Sequence, residues 1–139
     1  MPRVADIMTR SIATVQREET LQAAARRMGE MDIGALPVLD GKAIVGMVTD
    51  RDIAVRGVAQ GMIPQEARVA EVMTEDLRWC RADDSVDLLM SVMGDAQVRR
   101  MPVLDANNEV VGIVALADVA TRQSAHTDET LRDISTPGR

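Results

Sequence analysis

An internal repeat constrains the fold of this chain more than any other feature. Residues Val4–Thr9 recur as Val69–Thr74, an offset of 65 residues. The same offset carries Pro37–Asp40 onto Pro102–Asp105, and one inserted residue in the next turn changes the offset to 66. Such a repeat is one supersecondary unit that cannot bury its apolar face alone. The chain is therefore expected to fold as two copies of one small unit that share a core.

Each copy predicts the same order of elements. After a short helical lead-in and a brief strand, Thr20 and Ser85 have the hydroxyl expected of a helix N-cap. Apolar residues follow Thr20 at helical spacing: Leu21, Ala24, Ala25, Met28 and Met31. They follow Ser85 in the same way: Val86, Leu89, Met90, Met93 and Ala96. We expect these residues to face a core.

Two apolar runs then predict a β-hairpin, followed by a last helix. Asp40, Gly41 and Lys42 form the turn signal between the runs. Pro37 cannot donate to a ladder, so it should begin its strand or lie on an edge. The last helix begins near Asp50, with Ile53–Val55 on its apolar face. Each copy is thus β-α-β-β-α, and the fold class is α+β.

Composition divides the chain into four segments. The first repeat is expected at residues 1–57 and the second at 69–121. Residues 58–68 contain Gly61 and Pro64 and form a linker. Residues 122–139 are polar and are expected to form a tail.

Charge and residue counts exclude several classes of function. The net charge is −6 without a basic tract, and the chain has one Trp and no Phe or Tyr, which argues against a nucleic-acid or membrane partner. Cys80 and His126 are the only residues of their types, so we expect no disulfide, metal site or Ser-His catalytic pair. No apolar run approaches a membrane span, and no signal segment precedes the first repeat. A cytoplasmic protein that is not an enzyme is expected.

The junction after the second strand of the hairpin has two interpretations. Thr49 and Asp52 lie where a strand gives way to a helix, and such a helix start suits an anion or sugar hydroxyls. The same spacing is that of a capping box, in which both side chains satisfy only the helix's own N–H groups. Asp118 keeps the acidic position in the second copy, while Ala115 replaces the hydroxyl. Both interpretations remain open at this point.

The duplicated motifs resemble those of a known family. The pattern V-x-D-I-M-T, then I-G-A-L-P-V, then G-x-V-T-x-x-D-I is similar to that of the CBS domain, named after cystathionine β-synthase. Two such domains in tandem are called a Bateman module, and the resemblance covers residues 4 to about 121. It implies a pseudo-twofold pair with two clefts. The clefts of this family bind AMP, ADP or ATP, and sometimes S-adenosylmethionine or NAD.

The resemblance implies one main and one weaker ligand cleft. The main cleft would use a hydroxyl and a carboxylate for the ribose, an apolar wall for the adenine and basic residues for phosphate: Thr49, Arg51, Asp52, Leu77, Arg78, Arg99, Arg100 and Met101. The weaker cleft keeps the carboxylate and lacks the hydroxyl and the basic residues: Ile12, Ala13, Gly34, Ala35, Ala115 and Asp118. No cofactor is required.

The resemblance further implies a regulatory module rather than an enzyme. An adenosine-containing ligand would shift the conformation or partner affinity of the chain, which can occur only through differential affinity for two states. The output would pass through an unknown effector protein or through a homodimer that buries Met-rich helix faces. The alternative is a structural or protein-interaction pair that has lost nucleotide binding.

Overall fold

Two three-stranded sheets, one from each repeat, form the framework of the protein. The computed structural model describes residues 2–10, 12–75, 78–96, 100–115, 117 and 119. In chain order the helices and strands are α1 (Val4–Ile7), β1 (Val15–Gln16), α2 (Leu21–Met31), β2 (Ala35–Asp40), β3 (Ala43–Thr49), β4 (Cys80–Arg81), α3 (Val86–Ala96), β5 (Arg100–Leu104) and β6 (Val110–Ala115). A π-helical segment (Asp52–Gly57) and 3₁₀ turns at Val58–Gln60 and Val69–Glu71 lie between β3 and β4. The predicted α+β tandem repeat is confirmed.

The two sheets have the same topology. The strand orders are β1-β2-β3 and β4-β5-β6. The first two strands of each sheet are parallel, with Val15 opposite Val38 and Cys80 opposite Val103. Parallel neighbours need a crossover connection, which α2 and α3 supply. Strands β2 and β3 are antiparallel and meet at a turn in which Gly41 has φ +68°, a conformation that glycine adopts without steric cost.

Pro37 corrects one detail of the prediction, since it is the third residue of the central strand β2. It lies opposite Met47, whose N–H and C=O are both bonded to Thr74. An antiparallel residue that bonds on one side makes no ladder bond on the other, so Met47 needs no donor from Pro37. On the opposite side, β1 pairs only with Val38 and Leu39. The missing N–H therefore leaves no described strand residue unpaired.

The two crossover helices bury narrower stripes than the sequence pattern predicts. In α2 the buried side chains are Leu21, Ala24 and Met28. Ala25 is exposed and Met31 is 45% exposed, contrary to the expectation. In α3 the buried residues include Val86, Leu89 and Met93, whereas Met90 is 40% exposed. Residues three and four apart share a helix face. Among the side chains that the structure describes, only the central row of each predicted stripe lies within a core, and the Ala96 side chain lies outside that description.

The lead-in segments of the two repeats are exchanged between two compact units. The first-repeat unit comprises Ser11–Arg78 with Asp105–Val110, and the second-repeat unit comprises the remaining residues. Val4 and Ile7 of the first repeat are buried in the core of the second-repeat unit. The equivalent residues of the second repeat are buried in the core of the first-repeat unit: Val69, Val72 and Met73.

Each exchanged segment ends by pairing with the last strand of a sheet. Thr74 donates its N–H to the Met47 carbonyl at 2.8 Å and accepts the Met47 N–H at 3.0 Å. Thr9 makes the equivalent pair of bonds with Ile113, at 2.8 and 3.0 Å. These bridges tie the start of each repeat to the hairpin of the other.

The helix after β3 is wound differently from the expected α-helix. Residues Asp52–Gly57 form π-helical turns, and the Met62 N–H continues the i to i+5 pattern by donating to the Gly57 carbonyl at 3.1 Å. Ile53 and Gly57 are buried, while Val55 is 44% exposed. The prediction that Ile53–Val55 form an apolar face is therefore correct for Ile53 and wrong for Ala54 and Val55, which are exposed. Within the described part of the chain, none of the helices has the length and apolar content that a membrane span requires.

Candidate functional site

Thr49 and Asp52 form a reciprocal pair of hydrogen bonds at the end of β3. The Thr49 hydroxyl oxygen accepts the Asp52 N–H at 3.0 Å, and Asp52 Oδ2 accepts the Thr49 N–H at 3.0 Å. Strand β3 places Thr49 at its last residue, and the π-helical segment begins at Asp52. The capping box that the spacing allows is therefore formed. Both side chains are held in fixed positions at the junction.

The capping box leaves part of the hydrogen-bonding capacity of both side chains unused by the cap. A hydroxyl that accepts one bond can still donate its proton, and a carboxylate has about four lone-pair sites. The second carboxylate oxygen, Asp52 Oδ1, lies 3.9 Å from Arg56 Nε. The Asp52 side chain is 14% exposed. The geometry thus combines a structural cap with acceptor capacity at Asp52 that the cap does not use.

Residues assigned to the weaker cleft adjoin Thr49 in the first-repeat unit. Ala35 is the cross-strand partner of Thr49, and the Gly34 carbonyl accepts the Asp50 N–H at 2.9 Å. A directly opposed pair in an antiparallel ladder has Cβ atoms ~5 Å apart. The structure therefore brings a half-buried glycine and a buried alanine to the side of the capping box.

A partly buried ion pair between Arg27 and Glu19 fixes the segment before β1, which contains Ile12 and Ala13. Both residues are half-buried, and Ala13 packs against the core of the first-repeat unit. Arg27 of α2 donates to the Thr14 carbonyl at 2.8 Å and to the Glu19 carboxylate at 2.9 and 3.2 Å. The fork of one guanidinium thus joins the helix, the turn and the segment before the strand. Sequence reasoning missed this clamp.

The remaining predicted site residues occupy varied environments. Arg51 and Arg78 of the first-repeat unit and Arg100 of the second-repeat unit are exposed. Met101 is fully buried in the second core, so any part it has in a site comes through the strand that it anchors. Ala115 is half-buried at the end of β6. Leu77, Arg99 and Asp118 lie outside the described residues.

Arg56 is a second residue that sequence reasoning missed. Its Nε lies 3.9 Å from Asp52 Oδ1, and its Nη1 lies 3.4 Å from the carbonyl oxygens of both Val72 and Met73. The spacing Asp52-x-x-x-Arg56 is the i, i+4 arrangement typical of helical ion pairs, and it could have signalled the contact.

Candidate metal ligands were sought among the described side chains. No group of three or more His, Cys, Asp or Glu side chains there could hold a metal ion. Cys80 is buried, and burial raises the pKa of its thiol to about 12. The thiolate is the form that binds metals and reacts as a nucleophile. Cys80 is thus a packing residue.

Fold and site together define a class of protein, a tandem pair of β-α-β-β-α modules in which a hydroxyl and a carboxylate cap the helix after β3. The sequence profile of the CBS domain matches residues 4–57 and 69–125. The chain belongs to the CBS domain family.

Several relatives match over nearly their full length. The chain is 42% identical over 126 residues to the CBS domain-containing protein YhcV of Bacillus subtilis, covering 91% of this chain and 89% of YhcV. It is 40% identical over 127 residues to Hypoxic response protein 1 of Mycobacterium tuberculosis, covering 91% of this chain and 88% of that protein. Both relatives are similar in length to this chain.

Solved structures also resemble the chain, and two of them are described here. Hypoxic Response Protein I, crystallised with two coordinated zinc ions, superposes with a TM-score of 0.75 at 41% identity and covers 88% of this chain and 99% of that one. The CBS domain pair of protein MJ0100, in complex with 5-methylthioadenosine and S-adenosyl-L-methionine, superposes with a TM-score of 0.80 at 26% identity and covers 91% and 98% of the two chains.

Proposed function

We propose that this protein is a cytoplasmic regulatory module that binds an adenosine-containing ligand and acts through a partner protein or a homodimer. The expected ligands are AMP, ADP or ATP, with S-adenosylmethionine or NAD as alternatives. The complex of the MJ0100 pair with two adenosyl ligands supports this proposal. The single observation in this chain that carries it is the Thr49–Asp52 pair, which keeps hydrogen-bonding capacity beyond the cap.

The proposed main site divides the ligand among residues by chemistry. Asp52 would accept from the ribose hydroxyls, and Thr49 would donate its hydroxyl proton. Phosphate would be neutralised by guanidinium groups, which form charge-assisted and often bidentate bonds with phosphate oxygens: Arg51, Arg78, Arg99 and Arg100. Leu77 and Met101 would support the adenine.

The proposed weaker site lacks most of these groups. Ala115 has no hydroxyl, and Gly34 and Ala35 carry no charge where the main site has arginines. Asp118, with Ile12 and Ala13 as an apolar wall, would bind a neutral adenosyl group at best. We therefore expect one main ligand per chain.

The proposed output is a change in association rather than a chemical reaction. Exposed apolar side chains lie on α2, on α3 and after β3, and they suit a second copy of the chain or an effector protein: Met31, Val55, Val58, Leu88, Met90 and Val92. A ligand that favours one of two conformations would change this association.

A structural role without a ligand is the second candidate, and a specific observation favours it. The capping box engages both Thr49 and Asp52 within the fold, and the Asp52 side chain is 14% exposed. In that case the pair would serve only to start the helix, and the chain would act as a protein-interaction module.

A ligand screen with two matched variants distinguishes these candidates. At about 100 times Kd, a ligand adds ~2.7 kcal/mol to the free energy of unfolding, so thermal unfolding is measured with AMP, ADP, ATP, S-adenosylmethionine and NAD. Asp52→Asn keeps one oxygen for the Thr49 N–H and loses the charge and one acceptor. We expect it to lower the affinity about tenfold or more, since hydrogen bonds to charged groups contribute about 1.5–3 kcal/mol.

Asp84→Asn is the matched control. Asp84 Oδ2 accepts the Arg81 N–H at 2.9 Å, which is also a bond to the N–H three residues upstream, but in a turn outside the proposed site. The Asp84→Asn variant is expected to bind the ligand with wild-type affinity. The Asp118→Asn variant is also expected to bind the main ligand with wild-type affinity. If no adenosyl ligand raises the melting temperature of the wild type, the structural role replaces the proposal.

A further inference from the structure

Arg56 lies between a carboxylate and two backbone carbonyl groups within the first-repeat unit. On one side its Nε is 3.9 Å from Asp52 Oδ1, and on the other its Nη1 is 3.4 Å from the Val72 and Met73 carbonyl oxygens. Hydrogen bonds from N–H to oxygen have an optimum near 2.9 Å. Neither contact is at this optimum, and the Arg56 side chain is 55% exposed. The guanidinium is therefore shared between the carboxylate and the two carbonyl groups.

The two carbonyl groups belong to the exchanged lead-in of the second repeat. Val72 is fully buried and Met73 is 6% exposed in the first core. The next residue, Thr74, exchanges two backbone hydrogen bonds with Met47 of β3. Strand β3 in turn ends at Thr49, the partner of Asp52 in the capping box. The Asp52 carboxylate, which is proposed to contact the ligand, is thus connected to the lead-in of the second repeat through the Arg56 side chain.

We propose that Arg56 is a positioning residue that couples the state of the Asp52 carboxylate to the Val72–Thr74 segment. This inference rests on the proposed function for its ligand and names the regulatory route from that site. When a ribose hydroxyl bonds to Asp52 Oδ1, the carboxylate attracts Arg56 less strongly. The guanidinium then shifts toward the Val72 and Met73 carbonyl groups and holds the lead-in more tightly against β3.

The charge on Arg56 explains why a small change at Asp52 reaches the lead-in. A guanidinium stays protonated and offers five N–H donors in a planar fork, so a donor released from the carboxylate remains available to the carbonyl groups. A lysine has one ammonium group on a flexible stem and cannot contact both sides in this way. The coupling therefore depends on the shape of the side chain as well as on its charge.

Hydrogen exchange at the Thr74 and Met47 amides tests the coupling without any ligand. Asp52→Asn removes the carboxylate charge, and we expect it to slow exchange at both amides about two- to fivefold, the size of effect that a partly exposed ion pair supports. In an Arg56→Gln background the same substitution should change the exchange by less than the measurement error. Arg56→Lys should behave as Arg56→Gln does, and Asp84→Asn should leave both amides unchanged.

In the ligand-free comparison, two results would overturn the coupling. One is an equal effect of Asp52→Asn with and without Arg56, and the other is no effect of Asp52→Asn in the wild-type background. A second arm adds S-adenosylmethionine and ATP to the wild type, and a bound ligand should slow the same amides by at least this factor. A ligand that binds without this effect contradicts the coupling. Absence of binding contradicts the proposed function, and the ligand-free comparison still decides the role of Arg56.

Discussion

At the scale of single residues, carboxylates repeatedly accept the backbone N–H group three residues upstream. Asp6 accepts from Arg3 at 2.8 Å, and its repeat equivalent Glu71 accepts from Arg68 at 2.8 Å. Glu19 does the same for Gln16, as its equivalent Asp84 does for Arg81. The repeats exchange Asp for Glu at these positions and keep the bond. The carboxylate, rather than the length of the side chain, is what these turns require.

Glu19 gives a prediction for the pH dependence of stability. The Arg27 guanidinium, which donates to the Glu19 carboxylate, holds the pKa of that carboxyl below its ordinary value of 4.5. A carboxyl with a lowered pKa in the folded state contributes stability above its unfolded pKa and loses that contribution as the pH falls. The wild type should therefore exceed Glu19→Gln in unfolding free energy by a constant maximum above pH 4.5. This excess should shrink as the pH falls below that value.

Chemical denaturation at a series of pH values measures this difference. Glu18→Gln, at the exposed neighbouring residue, is the matched control. A difference between wild type and Glu19→Gln that stays constant as the pH falls below 4.5 would show that the ion pair does not stabilise the fold.

At the scale of elements, two glycines allow the exchanged lead-ins to reach the hairpins. A Cβ atom at Gly46 would lie 2.6 Å from the Thr74 carbonyl oxygen, and one at Gly112 would lie 2.9 Å from that of Thr9. These distances are below any normal Cβ contact. The nearest atom is the backbone oxygen of Thr74 at Gly46, whereas at Gly112 the Met8 side-chain sulfur, at 2.7 Å, lies nearer still than the Thr9 oxygen. The glycines at equivalent positions of the repeat are thus explained by close approach of another segment.

Gly46→Ala should therefore destabilise the protein. The added methyl group must push Thr74 away from β3 and lengthen its two bonds to Met47, and overpacking of this kind costs about 1–3 kcal/mol. Gly29→Ala is the matched control, because a Cβ at Gly29 within α2 meets no atom within 4 Å. That substitution should stabilise the helix by about 0.5–1 kcal/mol. Denaturant unfolding of both variants is the test. An equal free energy of unfolding for Gly46→Ala and the wild type would contradict the close approach.

At the scale of the whole molecule, neither core is complete within one repeat. Val4 is fully buried with Leu89 and Val103 of the second repeat, and Val69 is fully buried with Leu21 and other residues of the first. A small unit has little core to spare. Each repeat thus depends on a short segment of the other for a closed core.

A pair of equivalent substitutions tests this exchange. Val4→Ala and Val69→Ala each remove about two buried methyl equivalents, at a cost of about 2 kcal/mol. We expect Val4→Ala to increase amide hydrogen exchange mainly in β4, β5 and β6, although Val4 belongs to the first repeat. Val69→Ala should act mainly on β1, β2 and β3. Each substitution is the control for the other, and increases confined to the repeat that carries the change would contradict the exchanged cores.

The order of elements could be predicted from the sequence, because local rules decide it. The repeat offset, the Thr20 cap, the spacing of Leu21, Ala24 and Met28, and the turn at Gly41 depend only on neighbouring residues. The capping box at Thr49 and Asp52 was also visible as one of two alternatives. These features follow from backbone geometry and periodicity, which a short segment contains in full.

Which segment packs on which core was decided only by the tertiary structure. Nothing in Val4–Thr9 distinguishes its own repeat from the other, because the same motif occurs in both copies. The position of Pro37 in a central strand, the π-helical winding after β3 and the reach of Arg56 to the Val72 carbonyl all depend on segments distant in sequence. Local patterns determined the elements of this protein, and long-range contacts selected among pairings that those patterns left equivalent.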